Sequence, residues 1–353
     1  MDDFNFSKAA SLFGAEPIPY VAIADVGNKS ADLIVYAIPV MAFFTLAEMI
    51  HSWATKKRRY NATEAFGSLL VGLGNVAVSL LAKAFLLLGT VFIYNLIPWR
   101  MSFDWWTIIP CILVYDFCSY WAHRVSHNNR FFWATHVVHH TAEHYNLTVA
   151  FRLSWVQHLK IIFFIPIVLL GFHPIIFFIV NQVMVLFQFW QHTEYIKKLP
   201  SLIEWTIITP SNHRVHHGAD EKYIDKNFGV LFTFWDRLFG TYAKEDSLPT
   251  YGITSKIKLS SNPFYLNFHE FSSIIRDVRT AKNIKEKLFF IFGSPAAVEA
   301  LKRKESAVKE VQSSPGLLPL RENESEKLGG LTSLRTGLKY LPQREFKHNE
   351  SNL

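Results

Sequence analysis

Apolar residues gather into long runs separated by short charged stretches, and these runs dominate the first half of the chain. The first clear run, residues 32–50, has the length of a membrane-spanning helix and carries Glu48 near its end. Lys56-Lys57-Arg58-Arg59, the densest basic cluster of the chain, follows it. Basic residues collect on the cytoplasmic side of membrane spans, so this loop is expected in the cytoplasm and the N-terminus outside. Residues 65–97 are apolar apart from a few polar positions and one charge, Lys83. As one helix they would run roughly 50 Å, beyond the hydrocarbon core, so part of the run is expected in the interface. Lys83 near the middle of a span would be costly unless it snorkels or meets a partner.

Pro98–Asp104 carries one Arg and one Asp and fits an outer loop, after which residues 105–122 return inward and deliver His123 to the cytoplasmic face. Residues 161–190 are apolar again but broken by Gly171-Phe172-His173-Pro174, a turn signal between two short helices. Such a hairpin brings His192 and Lys197-Lys198 back to the side it left. In 262–293 apolar positions alternate with basic ones, among them Arg276, Arg279, Lys282, Lys285 and Lys287. That pattern predicts one or two amphipathic helices on the cap or the membrane surface. The segment 311–353 is rich in Ser, Gly, Glu, Lys and Asn and is expected to be a flexible tail. The pattern predicts an all-α fold, a polytopic membrane helix bundle of about four spans, one of them a short hairpin pair, under a cytoplasmic helical cap. Residues 1–250 would form the membrane-embedded domain with its cap, and 251–310 an amphipathic helical extension. A bacterial inner membrane or the endoplasmic reticulum would suit it.

Composition narrows the class. Half of the residues are hydrophobic and only 18% are charged, below the roughly 25% of soluble domains. The net charge of +7 does not point to nucleic acid, because the basic residues flank apolar runs or scatter through the tail instead of forming a stripe. Cys111 and Cys118 form no CxxC pair, so neither a disulfide framework nor a structural zinc site is indicated.

The chemistry lies in the histidines. Eight of the 15 fall in three short clusters beside apolar runs: His123-x-x-x-His127, His136-x-x-His139-His140 and His213-x-x-His216-His217. Spacings of three and four put side chains on one helix face, and imidazole is the commonest transition-metal ligand. Eight such ligands suffice for two metals with positions left open, and the adjacent pairs let one cluster reach both. All-nitrogen ligation disfavours magnesium and calcium and suits iron, zinc or copper. His51, His158 and His173 stand alone and read as interfacial residues. His269-Glu270 lacks the second histidine of a zinc protease motif. Asp116, two helical turns before His123, is a candidate to orient imidazoles, with Glu143, His144, Asn212 and Asp225 behind it. Arg124 and Arg152 are candidates for lipid phosphate or for interfacial anchoring. Trp235 to Tyr242 reads as a packing segment of the cap.

Over roughly residues 110–245 these motifs resemble the membrane-bound di-iron fatty acid hydroxylase/sterol desaturase superfamily. The resemblance rests on Asp116-x6-His123-Arg124-x-x-His127, Trp133-x-x-His136-x-x-His139-His140, His192, Asn212-His213-x-x-His216-His217 and Asn227-Phe228-Gly229-x5-Trp235-Asp236. Glu143-His144-Tyr145-Asn146-Leu147-Thr148-x-Ala150-x-Arg152 looks most like the alkylglycerol monooxygenase-like branch. The resemblance implies O2-dependent C–H oxidation of a membrane lipid or sterol. It implies two irons on the eight cluster histidines with His192 as a further ligand, an external electron donor, and a redox partner protein. A desaturase would use the same site. A zinc transporter or sensor is the reading from another class, and would place ligands at the bilayer midplane with acidic residues along a path.

Overall fold

The computed structural model describes residues 13–29, 33–254 and 260–313. Most of the expected tail, 314–353, lies outside them. Among the described residues there are helices and three isolated bridges, with no strand. In chain order the α-helices are α1 Ile23–Lys29, α2 Leu33–Ala54, α3 Ala62–Leu96, α4 Ile108–Asn128, α5 Arg130–Ala134, α6 Val137–His140 and α7 Ile165–Leu169. They continue as α8 Pro174–Phe189, α9 Ser201–Thr206, α10 Pro210–His216, α11 Phe234–Leu238, α12 Pro263–Thr280, α13 Ile284–Phe292 and α14 Pro295–Ser313.

Local chemistry sets the boundaries of α3. Asn61 caps its start by accepting from the backbone N–H groups of Thr63 and Glu64, and Pro98 forces Ile97 into extended backbone just past its end. The 65–97 run is thus one helix of 35 residues. Among the described residues two helices are long and apolar enough to cross a membrane, the one ending at Ala54 and α3. They turn Phe43, Phe44 and Trp53, and Leu80, Leu81 and Phe85, outward. Large apolar side chains displayed in this number belong against lipid, not water.

The hairpin expected at 161–190 is present, as a 3-10 segment Gln157–Phe163 with α7, then α8. Gly171 makes its turn at φ +97°, where a Cβ would meet the Trp99 carbonyl oxygen at 2.3 Å. His173, read from sequence as interfacial, instead caps α8 by accepting from Ile175 N–H. At 16 residues α8 is about 24 Å long, short of the hydrocarbon core. Among the described residues the long candidates are thus joined by two shorter apolar helices, Gln157–Leu169 and Pro174–Phe189, the short pair the pattern predicted.

The core lies where α4 meets the hairpin. Tyr115 and Cys118 pack with Ile167, Phe172, Phe177 and Met184. Both cysteines are free and buried. On α3, glycines allow close approach: a Cβ on Gly74 would sit 2.4 Å from the Trp155 ring, whereas one on Gly89 would meet nothing within 4 Å. Trp155 ties α3 to α12, donating from its indole to Val71 O and from its backbone N–H to Asn267 Oδ1.

Above this layer, α12 and α13 dock through Arg130, which is 2% exposed. Its guanidinium donates to Glu270, Ser273 and the Phe290 carbonyl and forms an ion pair with Asp277. The basic residues of this region, Arg276, Arg279, Lys282, Lys285 and Lys287, are exposed as the alternating pattern predicted.

Gly74→Ala is expected to cost about 1–3 kcal/mol by overpacking against Trp155. Gly89→Ala should leave stability unchanged or raised. Thermal unfolding of the two variants in one mild detergent checks the contrast.

Candidate metal centre

Four separate elements carry the histidines. His123 and His127 lie one turn apart near the end of α4, and His136 immediately precedes α6, which holds His139 and His140. His192 follows α8, while His213 and His216 lie in α10 and His217 closes it. Pro210 and the side chain of Thr209, which accepts from Asn212 N–H, start α10 so that its short run of ligands begins in register. One nitrogen from each of His123, His127, His136, His140 and His216 comes within 4.8 Å of the others, and the same holds for His139, His192, His213 and His217. The adjacent pairs His139/His140 and His216/His217 are divided between the two groups, because successive helical residues point about 100° apart. Their rings stand at 89° to each other in both pairs. The groups adjoin, with His140 stacked on His217 at 4.4 Å between centroids.

Hydrogen bonds fix which nitrogen faces inward. His123 Nδ1 lies 2.9 Å from the Phe228 carbonyl, His216 Nδ1 lies 3.0 Å from that of Lys226, and His192 Nδ1 lies 2.9 Å from that of Gln188. A carbonyl only accepts, so each Nδ1 carries the proton and each Nε2 presents a bare lone pair. Those Nε2 atoms nevertheless meet other imidazole Nε2 atoms, at 3.0 Å for His123 and His136, 3.2 Å for His216 and His140, and 3.0 Å for His192 and His213. Two such nitrogens meet either through a proton on the second ring or through a cation between them. Nitrogens at right angles around one ion, about 2.1 Å from it, would be about 3.0 Å apart, which matches these contacts. His127 Nε2 is also buried without a hydrogen-bond partner. The donor set therefore fits transition-metal ions.

Burial holds the rings neutral, as ligands must be. It depresses His139, His213 and His217 well below the ordinary imidazole range, with neighbouring imidazoles adding to the effect, and lowers His192 to about 4. The second group is wholly buried, whereas His127 and His136 of the first are half-buried, so the first is the more open side. Trp133 and Phe228 flank the first group and Tyr145 the second.

The carbonyls that orient His123 and His216 sit on one loop, and two buried carboxylates pin it. Asp236 accepts from Phe228 N–H, Gly229 N–H and the Thr241 hydroxyl, all at 2.7 Å. Asp116 accepts from Leu231 N–H, Phe232 N–H and the Trp235 indole. Asp116 thus contacts no cluster histidine; it acts one step further out than its helical spacing suggested. Asp225, in left-handed backbone at φ +57°, does meet a cluster histidine, His127 Nδ1, at 3.5 Å.

The other sequence candidates lie elsewhere. Glu143 is exposed, and His144 pairs with Glu64. Asn212 donates to the Glu204 and Ile207 carbonyls. Arg152 is 1% exposed and bonded to Ser68, Thr141 and the Glu64 carbonyl, so it clamps the end of α6 and does not face lipid headgroups. Sequence reasoning missed Asp236 as a positioning residue, and missed Glu64 and Arg214. Glu64 accepts from the backbone N–H groups of Glu143 and His144. Arg214, inside the third cluster, forks onto Glu245 and donates to the Thr193 and Ile196 carbonyls beside His192. An arginine among ligands was the available signal.

Residues 108–241 match the fatty acid hydroxylase family. The chain is 34% identical over 271 residues to the alkylglycerol monooxygenase of Homo sapiens, covering 75% of this chain and 60% of that protein. Its identity to the alkylglycerol monooxygenase of Xenopus tropicalis is 34% over 256 residues, 71% of this chain and 56% of the other. An ornithine lipid hydroxylase of Rhizobium tropici is 26% identical over 163 residues, 45% of this chain and 48% of that protein. The chain spans under two thirds of the length of these relatives. No solved structure matches it.

Arg214→Ala leaves Glu245 buried and unpaired, and is expected to destabilise by about 3–5 kcal/mol, read as early thermal unfolding. Asp236→Ala frees the loop carbonyls of His123 and His216 and should weaken metal retention about 10–100-fold, measured by competition with a chelator. Unchanged retention in a folded Asp236→Ala protein would contradict the positioning role.

Proposed function

We propose that this chain, which belongs through residues 108–241 to the fatty acid hydroxylase superfamily, hydroxylates a membrane lipid with O2 at a di-iron centre held by its nine clustered histidines. The observation that carries the reading is the convergence of Nε2 lone pairs from four separate elements into two adjoining groups. Two irons there would supply the binding and reductive activation of O2. In balance, one lipid C–H bond, O2, two electrons and two protons give one C–OH and one water. The electrons come from an external donor, a redox partner protein.

The chain's own part is to hold and exclude. His123, His127, His136, His140 and His216 would hold one iron, and His139, His192, His213 and His217 the other. The Phe228, Lys226 and Gln188 carbonyls keep the ring tautomers that leave Nε2 free. Trp133, Phe228 and Tyr145 wall the rings from water. The substrate is a lipid bearing a long alkyl or acyl chain, in keeping with relatives named for alkylglycerol and ornithine lipid, and those names favour hydroxylation over desaturation. The site would lie on the cytoplasmic side of an integral membrane protein, the side on which Lys56-Lys57-Arg58-Arg59 places the loop after α2.

Protein purified in mild detergent is expected to hold about two irons per chain, and to consume O2 while adding one oxygen atom to a lipid. His139→Ala should lower turnover by more than the about 10–100-fold typical of an outer residue, with membrane insertion intact. His173→Ala should cost about 1 kcal/mol of stability through the lost cap and spare turnover. Metal content and product mass together decide: stoichiometric zinc exchanged across vesicles, without oxidation, would overturn the reading.

A further inference from the structure

Leu202 and Trp205 of α9 and Phe234 and Leu238 of α11 are each more than half exposed. The bridge between Ile207 and Phe232 joins the two elements, and the Thr233 hydroxyl donates to the Trp205 carbonyl. α11 also packs on α4: the Trp235 ring meets Phe117 at 5.0 Å and the Phe239 ring meets Trp121 at 5.1 Å. Phe117 ends an exposed stripe of Ile109, Leu113 and Phe117, spaced by four along α4, which is one helix face turned to lipid. The cap patch continues that stripe.

Depth follows from length. Trp105, in the 3-10 turn before α4, is 78% exposed and is a residue type that anchors at a membrane interface. Trp121 lies 16 residues further on, about 24 Å along the helix, against a hydrocarbon core of about 30 Å. Packed at the level of Phe117 and Trp121, α11 cannot stand clear of the bilayer. Arg237 sits at the rim of the patch. Its guanidinium lies 3.8 Å from the centroid of the Tyr242 ring and 5.4 Å from that of Trp205. Its Nε is buried without a hydrogen-bond partner, and no carboxylate pairs with it among the described residues. Two rings thus fix the planar cation and leave its donors unspent. Such a fork matches the oxygens of a phosphate group.

We propose that the α9–α11 face of the cap is seated in the bilayer interface and that Arg237 there binds the phosphodiester of a membrane phospholipid. The ligand is a structural lipid of the surrounding bilayer, apart from the reacting one, so the inference stands independently of the oxidation reading. It also gives the 228–241 loop a second attachment. The loop that orients His123 and His216 from its inner side holds lipid on its outer side through Phe234, Arg237 and Leu238.

The full-length protein in phosphatidylcholine vesicles tests the seating without metal or turnover. A nitroxide on Leu238→Cys should be reached by O2 and shielded from an aqueous nickel chelate, as one on Leu113→Cys is. Glu221→Cys, an exposed polar position of the cap, should show the reverse. Cys111 and Cys118 are buried and stay unlabelled. For the phosphate site, the protein is placed in nanodiscs of a phosphate-free digalactosyl lipid doped with phosphatidylcholine. The phosphatidylcholine retained through detergent purification is counted by mass spectrometry. Arg237→Gln should lower retention by about tenfold or more. Arg237→Lys keeps the charge but not the fork and should lower it less, which preserves the comparison if Arg237→Gln unfolds. Nickel reaching Leu238 as freely as Glu221 overturns the seating. Dipolar broadening between Leu238 nitroxides that grows with protein density puts a second copy on the face and overturns it too. Undiminished phosphatidylcholine on folded Arg237→Gln protein, or on both variants, overturns the phosphate site.

Discussion

The protein holds nine imidazoles in contact in its interior, and their nitrogens meet only through a proton or a cation between them. Every major contact around the centre bears on that constraint. Backbone carbonyls take the Nδ1 protons of His123, His192 and His216, which commits each Nε2 to the interior. Burial disfavours full protonation of a ring, because an imidazolium there would be poorly solvated. A shared cation satisfies all the inward Nε2 atoms of a group at once, which is why the donor set reads as a metal site.

Holding the rings requires rigid support that is itself costly to bury. Asp116 and Asp236 lie in the interior with no ion pair, and each is satisfied by three donors from the 228–241 region. Buried carboxylates are tolerable on those terms only. Arg152 and Arg214 follow the same logic with opposite charge, one tying the end of α6 to α3, the other tying α10 to Glu245 and to the backbone beside His192. The two buried carboxylates therefore act mostly on backbone, and that backbone positions the imidazoles.

The apolar half has a different task. Glycines on α3 let Trp155 and the 3-10 segment Leu147–Phe151 approach its axis, while Gly89 leaves a gap on the side of the hairpin. Outward residues of α2 and α3 suit lipid, and the shorter hairpin brings apolar structure up to the level of the histidines.

Much was legible in the chain itself. Runs of apolar residues mark α2, α3 and the hairpin because a lipid-facing helix must be apolar nearly all round, and Pro98 and Gly171 mark a loop and a turn by local stereochemistry alone, whereas the Asn61 cap of α3 came from the structure. The three histidine clusters stood out because metal ligation demands one side-chain type at helical spacing. What spacing could not decide was pairing across the chain. That His139 and His140 serve different groups, that His192 joins the second, and that Asp116 holds a loop instead of a ring all depend on residues 50–120 positions away. Asp236 and Arg214 were hidden for the same reason: their work is done on backbone groups, which every residue carries and no sequence pattern marks. The length of α8 set a further limit, since hydropathy reports what a helix can face but only its packed length decides whether it reaches across.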